Sequence, residues 1–404
     1  MENETLVEAI FSEKYCLDIE GFKMRLCKLK RIFAFYLLLS FAFACRGQNP
    51  NSSSNEVTFA KIEKIATEGI KNSNFPGISI GIVSDDKIIY AKGFGYADRE
   101  NKKLADADTV YQIGSVTKTF TGNLLAQLIA EKQLSLDDSI SKYFPDSVKF
   151  PTDKNGKAIT VKDIATHSAE FPRYPDNLVR TDGEPIHGFS KQQLYLGIEL
   201  IRINNPAGIH YFYSNFGYGV LGTALENLTD KTLSELFLQR IFQPLKMESS
   251  SLDLTDKLKT NLAIPYRDDN PNQRTEPWEM GALSGAGNIF SSVNDLSLFM
   301  NEMLKGSEVN RIQQTEYLKI NETWNYGLGC FVINSKTRNT KIIHHGGDID
   351  GYASYLILYP EFKGGLVILT NSGMGRQFGE IAEGINEIVF DELFKNKQIP
   401  AENE

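Results

Sequence analysis

The β-forming runs of this chain stand near its two ends, and the long stretch between them is patterned for helix. Gly77 to Val83 (GISIGIV) and Lys87 to Gly93 (KIIYAKG) are rich in β-branched and aromatic residues, with Ser84-Asp85-Asp86 between them as a hairpin turn. Four more runs appear late, at Gly327–Asn334, Thr340–His345, Tyr352–Tyr359 and Gly364–Asn371. Buried strands must pair their backbone groups, so the two sets predict one antiparallel sheet built from both ends of the chain. Phe59, Ile62, Ala66 and Ile70 recur at helical spacing and predict a helix over 57–72. Phe378, Ile381, Ile385, Ile388 and Val389 predict a closing helix in the same way. A further helix begins close to Ser115 and carries Phe120, Leu124, Leu125, Leu128 and Ile129. From 130 to 325 short helical patterns alternate with Pro- and Asn-rich loops. The expected class is therefore α+β: an antiparallel sheet flanked by N- and C-terminal helices, plus a mainly helical second subdomain. The α/β part is expected at about 56–120 and 326–395 and the helical part at about 121–325, with a ligand groove between them.

The segment before residue 56 reads differently. Lys23 to Arg31 (KMRLCKLKR) is basic, and Ile32 to Ala44 (IFAFYLLLSFAFA) is uncharged but shorter than the roughly 20 residues that span a bilayer. A basic region, a short apolar region and small residues before a cut describe an export signal over 1–44, with Met24 as an alternative start. Ala42-Phe43-Ala44-Cys45 resembles the lipobox of bacterial lipoproteins. That resemblance implies a lipid anchor on Cys45, against the alternative of plain cleavage with Cys45 incidental. Residues 45–55 (CRGQNPNSSSN) read as a polar tether. The expected location is outside the cytoplasm, periplasmic or at the cell surface, and membrane-anchored.

Composition narrows the function classes. The 404 residues are 41% apolar and 23% charged, which excludes collagen-like, disordered and polytopic membrane chains. A net charge of −8 argues against a nucleic-acid partner. The four cysteines (16, 27, 45 and 330) form no Cys-x-x-Cys pair, so neither a zinc ribbon nor a disulfide framework fits. The five histidines make no metal-site spacing, and no metal or cofactor is expected.

Three short motifs can carry chemistry. Ser115 and Lys118 are one helical turn apart, so the amine lies beside the hydroxyl. A buried lysine has a lowered pKa and can take the serine proton. The start of a helix adds free N–H groups where an oxyanion could form. Spacing alone is weak, because Ser84/Lys87 and Ser139/Lys142 share it. Only Ser115 follows a glycine and opens an apolar helix, and even that pair alone is compatible with a structural role. Tyr213 and Asn215 can point the same way from a loop. A phenolate beside an ammonium would have a lowered pKa and could shuttle a proton, and the amide could hold a substrate carbonyl. A core tyrosine with a loop asparagine is the plain alternative. His344-His345-Gly346-Gly347 ends a predicted strand, where a histidine can donate a hydrogen bond and glycine admits a substrate backbone, or where the chain simply turns.

The order Ser115-x-x-Lys118, Tyr213-x-Asn215, His345-x-Gly347 resembles the serine β-lactamase and penicillin-binding-protein superfamily, in the branch of class C β-lactamases, D-aminopeptidases, DD-peptidases and esterases. Thr166-His167-Ser168, Pro206-Ala207-Gly208, Arg240 to Leu245, Ser284 to Gly287 and Leu369 to Ser372 add to the likeness, which covers about 57–395. The resemblance implies Ser115 as the acylated nucleophile, with Lys118 and Tyr213 sharing the acid and base work. It implies Asn215, His345 and Gly347 as substrate contacts and the N–H groups of Ser115 and Asp348 as the oxyanion hole. It also implies a small-molecule or peptide substrate. His345 replaces the lysine of class C β-lactamases, and Asp348 and Asp350 follow it. On that ground weak or no β-lactam hydrolysis is expected, and a neutral ester or an amine-bearing peptide is favoured over a carboxylate. The alternative is a penicillin- or peptidoglycan-binding lipoprotein without turnover.

Overall fold

The computed structural model describes residues 50–73, 75–179, 185–267, 270, 272–373 and 376–395. The chain divides into two compact units, Met1–Glu56 and Val57–Glu404. The signal segment, Met24 and Cys45 lie outside the described residues.

The second unit is organised on a nine-stranded antiparallel sheet. Its strands are β1 (Gly77–Ser84), β2 (Lys87–Asp98), β3 (Lys103–Leu104), β6 (Leu318–Lys319), β7 (Trp324–Tyr326), β8 (Phe331–Ser335), β9 (Thr340–Ile349), β10 (Tyr352–Tyr359) and β11 (Gly364–Thr370). β4 (Tyr111–Gln112) and β5 (Phe290–Ser291) pair separately. The order across the large sheet is β3-β2-β1-β11-β10-β9-β8-β7-β6. The first strand thus lies beside the last, with Ile78 opposite Thr370 and Ser84 opposite Gly364. The sheet built from both ends is therefore what the chain forms.

Among the described residues the helices of ten or more residues are α1 (Pro50–Ser73), α2 (Thr117–Ala130), α3 (Lys191–Leu200), α4 (Asn215–Thr229), α5 (Val293–Leu304) and α6 (Arg376–Ile388). Alternate residues along a strand point to opposite faces. On one face Ile78, Ile80, Ile82, Ile357, Leu366 and Ile368 pack with Ile62 and Ala66 of α1 and Phe378, Ala382 and Ile385 of α6. On the other face Leu356, Leu358, Val367 and Leu369 join the core of the helical region, with Phe120, Leu124, Val220, Leu296 and Phe299. Burial on both faces explains why β10 and β11 read as largely apolar runs, with Ser354 the polar residue inside β10.

Three boundaries differ from the sequence reading. Pro50 to Asn55, read as tether, are helical in α1; proline is well suited to a first helical turn, where its missing N–H costs nothing. The run at 327–334 is split by a turn in which the Gly327 N–H donates to the Cys330 carbonyl at 2.8 Å. The third motif does not end its strand. β9 continues to Ile349, because His345 to Ile349 all keep partners on β10.

Candidate active site

Ser115 lies in a single 3-10 turn, Gly114–Val116, that runs directly into α2. Two neighbouring elements hold this turn. The Ile113 N–H donates to the Ile289 carbonyl at 2.9 Å, and the Ile289 N–H donates to Thr117 Oγ1 at 3.1 Å. From the sheet, Ser354 Oγ donates to the Ile113 carbonyl at 2.8 Å. Gly347 packs so close that a Cβ there would stand 2.1 Å from that same carbonyl oxygen. The backbone nitrogen of Asp348 faces Gly114, 3.1 Å from where a Cβ on that glycine would lie.

The first two motifs converge on the Ser115 hydroxyl, while the third packs under the turn that carries it. Lys118 Nζ is 3.1 Å from Ser115 Oγ, and the Tyr213 hydroxyl donates to Ser115 Oγ at 2.7 Å. Lys118 Nζ also donates to Asn215 Oδ1 at 2.8 Å and to the Ala286 carbonyl at 2.7 Å. Lys118 is fully buried whereas Ser115 is partly exposed, so reactants can meet the hydroxyl but not the amine. Burial, with the Arg173 charge second, holds the Lys118 pKa well below the usual lysine range. Burial pushes the Tyr213 phenol up, only partly offset by Ser115 and Arg173. This runs against the phenolate–ammonium expectation: burial raises the Tyr213 pKa and lowers that of Lys118, and so disfavours the charged form of each. A neutral amine has two N–H donors and one lone pair. In that form Asn215 and Ala286 take the donors, and the lone pair is then free to face the Ser115 hydroxyl 3.1 Å away.

His345 does not supply the hydrogen bond or charge expected of it. It is buried, and its Nδ1 donates to the Gly346 carbonyl at 2.7 Å while the Tyr326 hydroxyl approaches Nε2 at 3.3 Å. A carbonyl can only accept, which puts the ring proton on Nδ1. Burial, reinforced by Lys118, pushes its pKa down to about 3, so the ring is an uncharged wall. Gly347 is placed as a close-packing residue and the Asp348 side chain is exposed.

Three contributors were not assigned a role from sequence. The Ala286 carbonyl binds Lys118 from the glycine-rich segment. The Arg173 guanidinium lies over the Tyr213 ring, 5.6 Å from its centroid. His167, buried and at φ 60°, accepts the Ser214 N–H on Nδ1 at 3.1 Å. Its ring packs 4.6 Å from the Tyr213 ring. The imidazole therefore fixes the residue between Tyr213 and Asn215. An asparagine at 167 keeps an acceptor near the Nδ1 position and tolerates the left-handed backbone. We expect His167→Asn to retain kcat within about threefold and His167→Leu to lose about tenfold or more, the scale of one lost buried hydrogen bond. Equal kcat for the two variants would remove His167 from this role.

A hydroxyl held between a buried amine and a phenol, on this sheet-and-helix frame, places the protein among the serine hydrolases. The chain belongs to the β-lactamase family, whose model matches residues 62–389. It is 26% identical over 323 residues to Protein flp of Staphylococcus aureus (strain N315), covering 77% of this chain and 62% of that protein. The chain thus spans less than two thirds of that relative. It is 25% identical over 358 residues to D-alanyl-D-alanine-carboxypeptidase/endopeptidase AmpH of Escherichia coli (strain K12), covering 84% and 90%. Among solved structures, the octameric penicillin-binding protein homologue from Pyrococcus abyssi is similar with a TM-score of 0.71 and 26% identity, over 82% of this chain and 77% of that one. The β-lactamase/D-alanine carboxypeptidase from Yersinia pestis shares the fold, with a TM-score of 0.73 at 22% identity, over 84% and 99%.

Proposed function

We propose that the protein cleaves an amide or ester by way of an acyl-enzyme on Ser115, with D-amino-acid or cell-wall peptides as the substrate class and little or no β-lactam turnover. The observation that carries this is the placement of the buried Lys118 amine, 3.1 Å from Ser115 Oγ and anchored by Asn215 Oδ1 and the Ala286 carbonyl, with burial lowering its pKa. Lys118 Nζ takes the hydroxyl proton as Oγ attacks the substrate carbonyl carbon. The N–H groups of Ser115 and Asp348 receive the oxygen's developing charge, a role supported by how close the Asp348 nitrogen lies to Gly114. The carbon–nitrogen or carbon–oxygen bond then breaks, and the leaving group takes a proton from the Lys118–Tyr213 pair. Water gives its proton to the same pair as it attacks the acyl-enzyme, and the acid is released with Ser115 restored. The substrate class rests on the carboxypeptidase name of the Escherichia coli relative. Work outside the cytoplasm and a lipid on Cys45 belong to this proposal as well; no helix among the described residues is long and apolar enough to cross a membrane.

The test is labelling with a fluorophosphonate, alongside turnover of a p-nitrophenyl ester, a D-alanyl p-nitroanilide and nitrocefin. The expected result is one adduct on the peptide containing Ser115, absent from Ser115→Ala, with ester or D-alanyl turnover exceeding nitrocefin turnover. A folded protein that acylates without releasing product would favour the non-turnover binding reading, and no adduct would overturn the mechanism.

A further inference from the structure

The helical region holds a cavity of about 910 Å³ that none of Ser115, Lys118, Tyr213 and Asn215 lines. Its size is that of a small-molecule site. It lies between α4, which contributes Gly222, Thr223 and Glu226, and the chain from Glu276 to Gly285. Leu233, Leu252, Trp278, Met280 and Phe290 are buried and make much of its lining apolar. Its carboxylates are Glu226, Asp253, Glu276 and Glu279, and no lysine or arginine is among the lining residues. Two of the four are engaged within the protein: Glu226 pairs with Lys191 Nζ at 3.4 Å, and Asp253 accepts the Ser234 hydroxyl at 2.7 Å. Glu276 and Glu279 are exposed, and among the described residues no lysine or arginine pairs with them. Such a cavity takes an apolar body and repels an anion. A positive charge on that body is what its carboxylates reward.

The wall of the cavity is also the backing of the catalytic groups. Gln112 is buried and stands three residues before Ser115. Its Nε2 donates to the Trp278 carbonyl at 2.9 Å, and its Oε1 accepts the Trp278 N–H at 2.9 Å. Asn288, another lining residue, accepts Gln112 Nε2 at 3.3 Å and the Met280 N–H at 3.1 Å on its Oδ1. From α2, Thr121 Oγ1 donates to the Gly285 carbonyl at 2.7 Å. Lys118 Nζ donates to the next carbonyl, that of Ala286, also at 2.7 Å. Trp278 and Gly285 therefore face the cavity while their backbones are tied to the Ser115 turn and to the helix of Lys118.

We propose that this cavity is a second ligand site, for a small organic cation with an apolar or aromatic body, and that its occupancy is felt at Ser115. A molecule that packs against Trp278 and Gly285 braces both attachments, so Ser115 reacts faster as the site fills. The binding stands apart from the acyl-enzyme reading; only its effect on Ser115 rests on that reading.

Proflavine, a fluorescent aromatic cation, is the probe, with an acridine carboxylate as its anionic counterpart. Proflavine should bind saturably by fluorescence anisotropy, and binding should persist after Ser115 is phosphonylated. The double variant Glu276→Gln with Glu279→Gln should bind it about fivefold more weakly, the scale of two exposed charge interactions. The acridine carboxylate should bind wild type more weakly than proflavine does. At saturating proflavine, fluorophosphonate labelling of Ser115 should speed up by about twofold or more, a small coupling between two sites. Absence of saturable binding overturns the site. So does an unchanged Kd in the double variant, which places the dye elsewhere, or loss of binding on phosphonylation, which places it at Ser115. Binding with a labelling rate unchanged or lowered overturns the bracing of Ser115 and leaves the site. Folded wild type that takes no fluorophosphonate overturns the hydrolase reading and the bracing with it, while proflavine binding still decides the site.

Discussion

Lys118→Met is expected to lower kcat/KM by about 10³-fold or more while the protein stays folded. Removal of a general base from an activated-serine site costs this order of rate. Stability follows a different sign. Burial makes the folded state hold Lys118 unprotonated at pH values where the unfolded chain binds the proton. In that window unfolding takes up a proton, so stability rises with pH and falls as pH drops. Methionine removes this cost, but it also strands the carbonyls of Asn215 and Ala286 that the amine now serves. The two terms oppose, and Tm at neutral pH should move by no more than about 5 °C. In wild type, kcat/KM should rise as pH passes upward through the depressed Lys118 pKa, because only the neutral amine can accept the Ser115 proton. Thermal melts and a pH–rate profile check both halves. A Lys118→Met protein with near-wild-type kcat/KM would show that the amine is not the base.

Gly347→Ala should be almost as damaging, by geometry rather than by chemistry. The added methyl would lie 2.1 Å from the Ile113 carbonyl oxygen and 2.2 Å from Ser354 Oγ. Such contacts force β9 away from the turn that carries Ser115. Asp348 moves with the strand, and its N–H leaves the place where an oxyanion would form. We expect a loss of about 10²-fold in kcat/KM, the cost of one oxyanion donor, together with a Tm lower by several degrees. Gly347→Ala combined with Ser354→Gly relieves one contact only. Because the Ile113 carbonyl is backbone, the pair should recover little activity. Wild-type kcat/KM in Gly347→Ala would mean that the strand and the Ser115 turn need not touch.

How much of this was legible in the sequence follows the distance over which each interaction acts. The strands were legible because burial on both faces leaves largely apolar runs, as in β10 and β11. Ser115 and Lys118 were legible because one helical turn joins them. Tyr213 and Asn215 were legible as a pair, but their meeting with Ser115 came only from the order of motifs. The Ala286 carbonyl carries no side-chain signature, so no pattern could mark it. Arg173 reads as one of many surface cations until α4 is seen to dock on its carbonyl. The protonation of Tyr213 was misread because neighbouring charge can be guessed from spacing, whereas desolvation depends on what the rest of the chain places over the ring. His167 stood within a motif block, but its bond to the Ser214 N–H needs the fold.

The pairing of β1 with β11 also governs when this protein can begin to work. A ribosome delivers β1, its hairpin partner β2 and the Ser115 turn early, yet the second partner of β1, β11, and the Ser354 hydroxyl that ties down Ile113 arrive only with the last strands. Non-local pairing of this kind is slow to form and cannot be rehearsed by a partial chain. A nascent chain therefore carries its reactive serine through most of synthesis without the surroundings that would arm it. Fragments released by premature termination before β11 should be hydrolytically silent, so chain completion itself acts as the safeguard against an enzyme at work too soon.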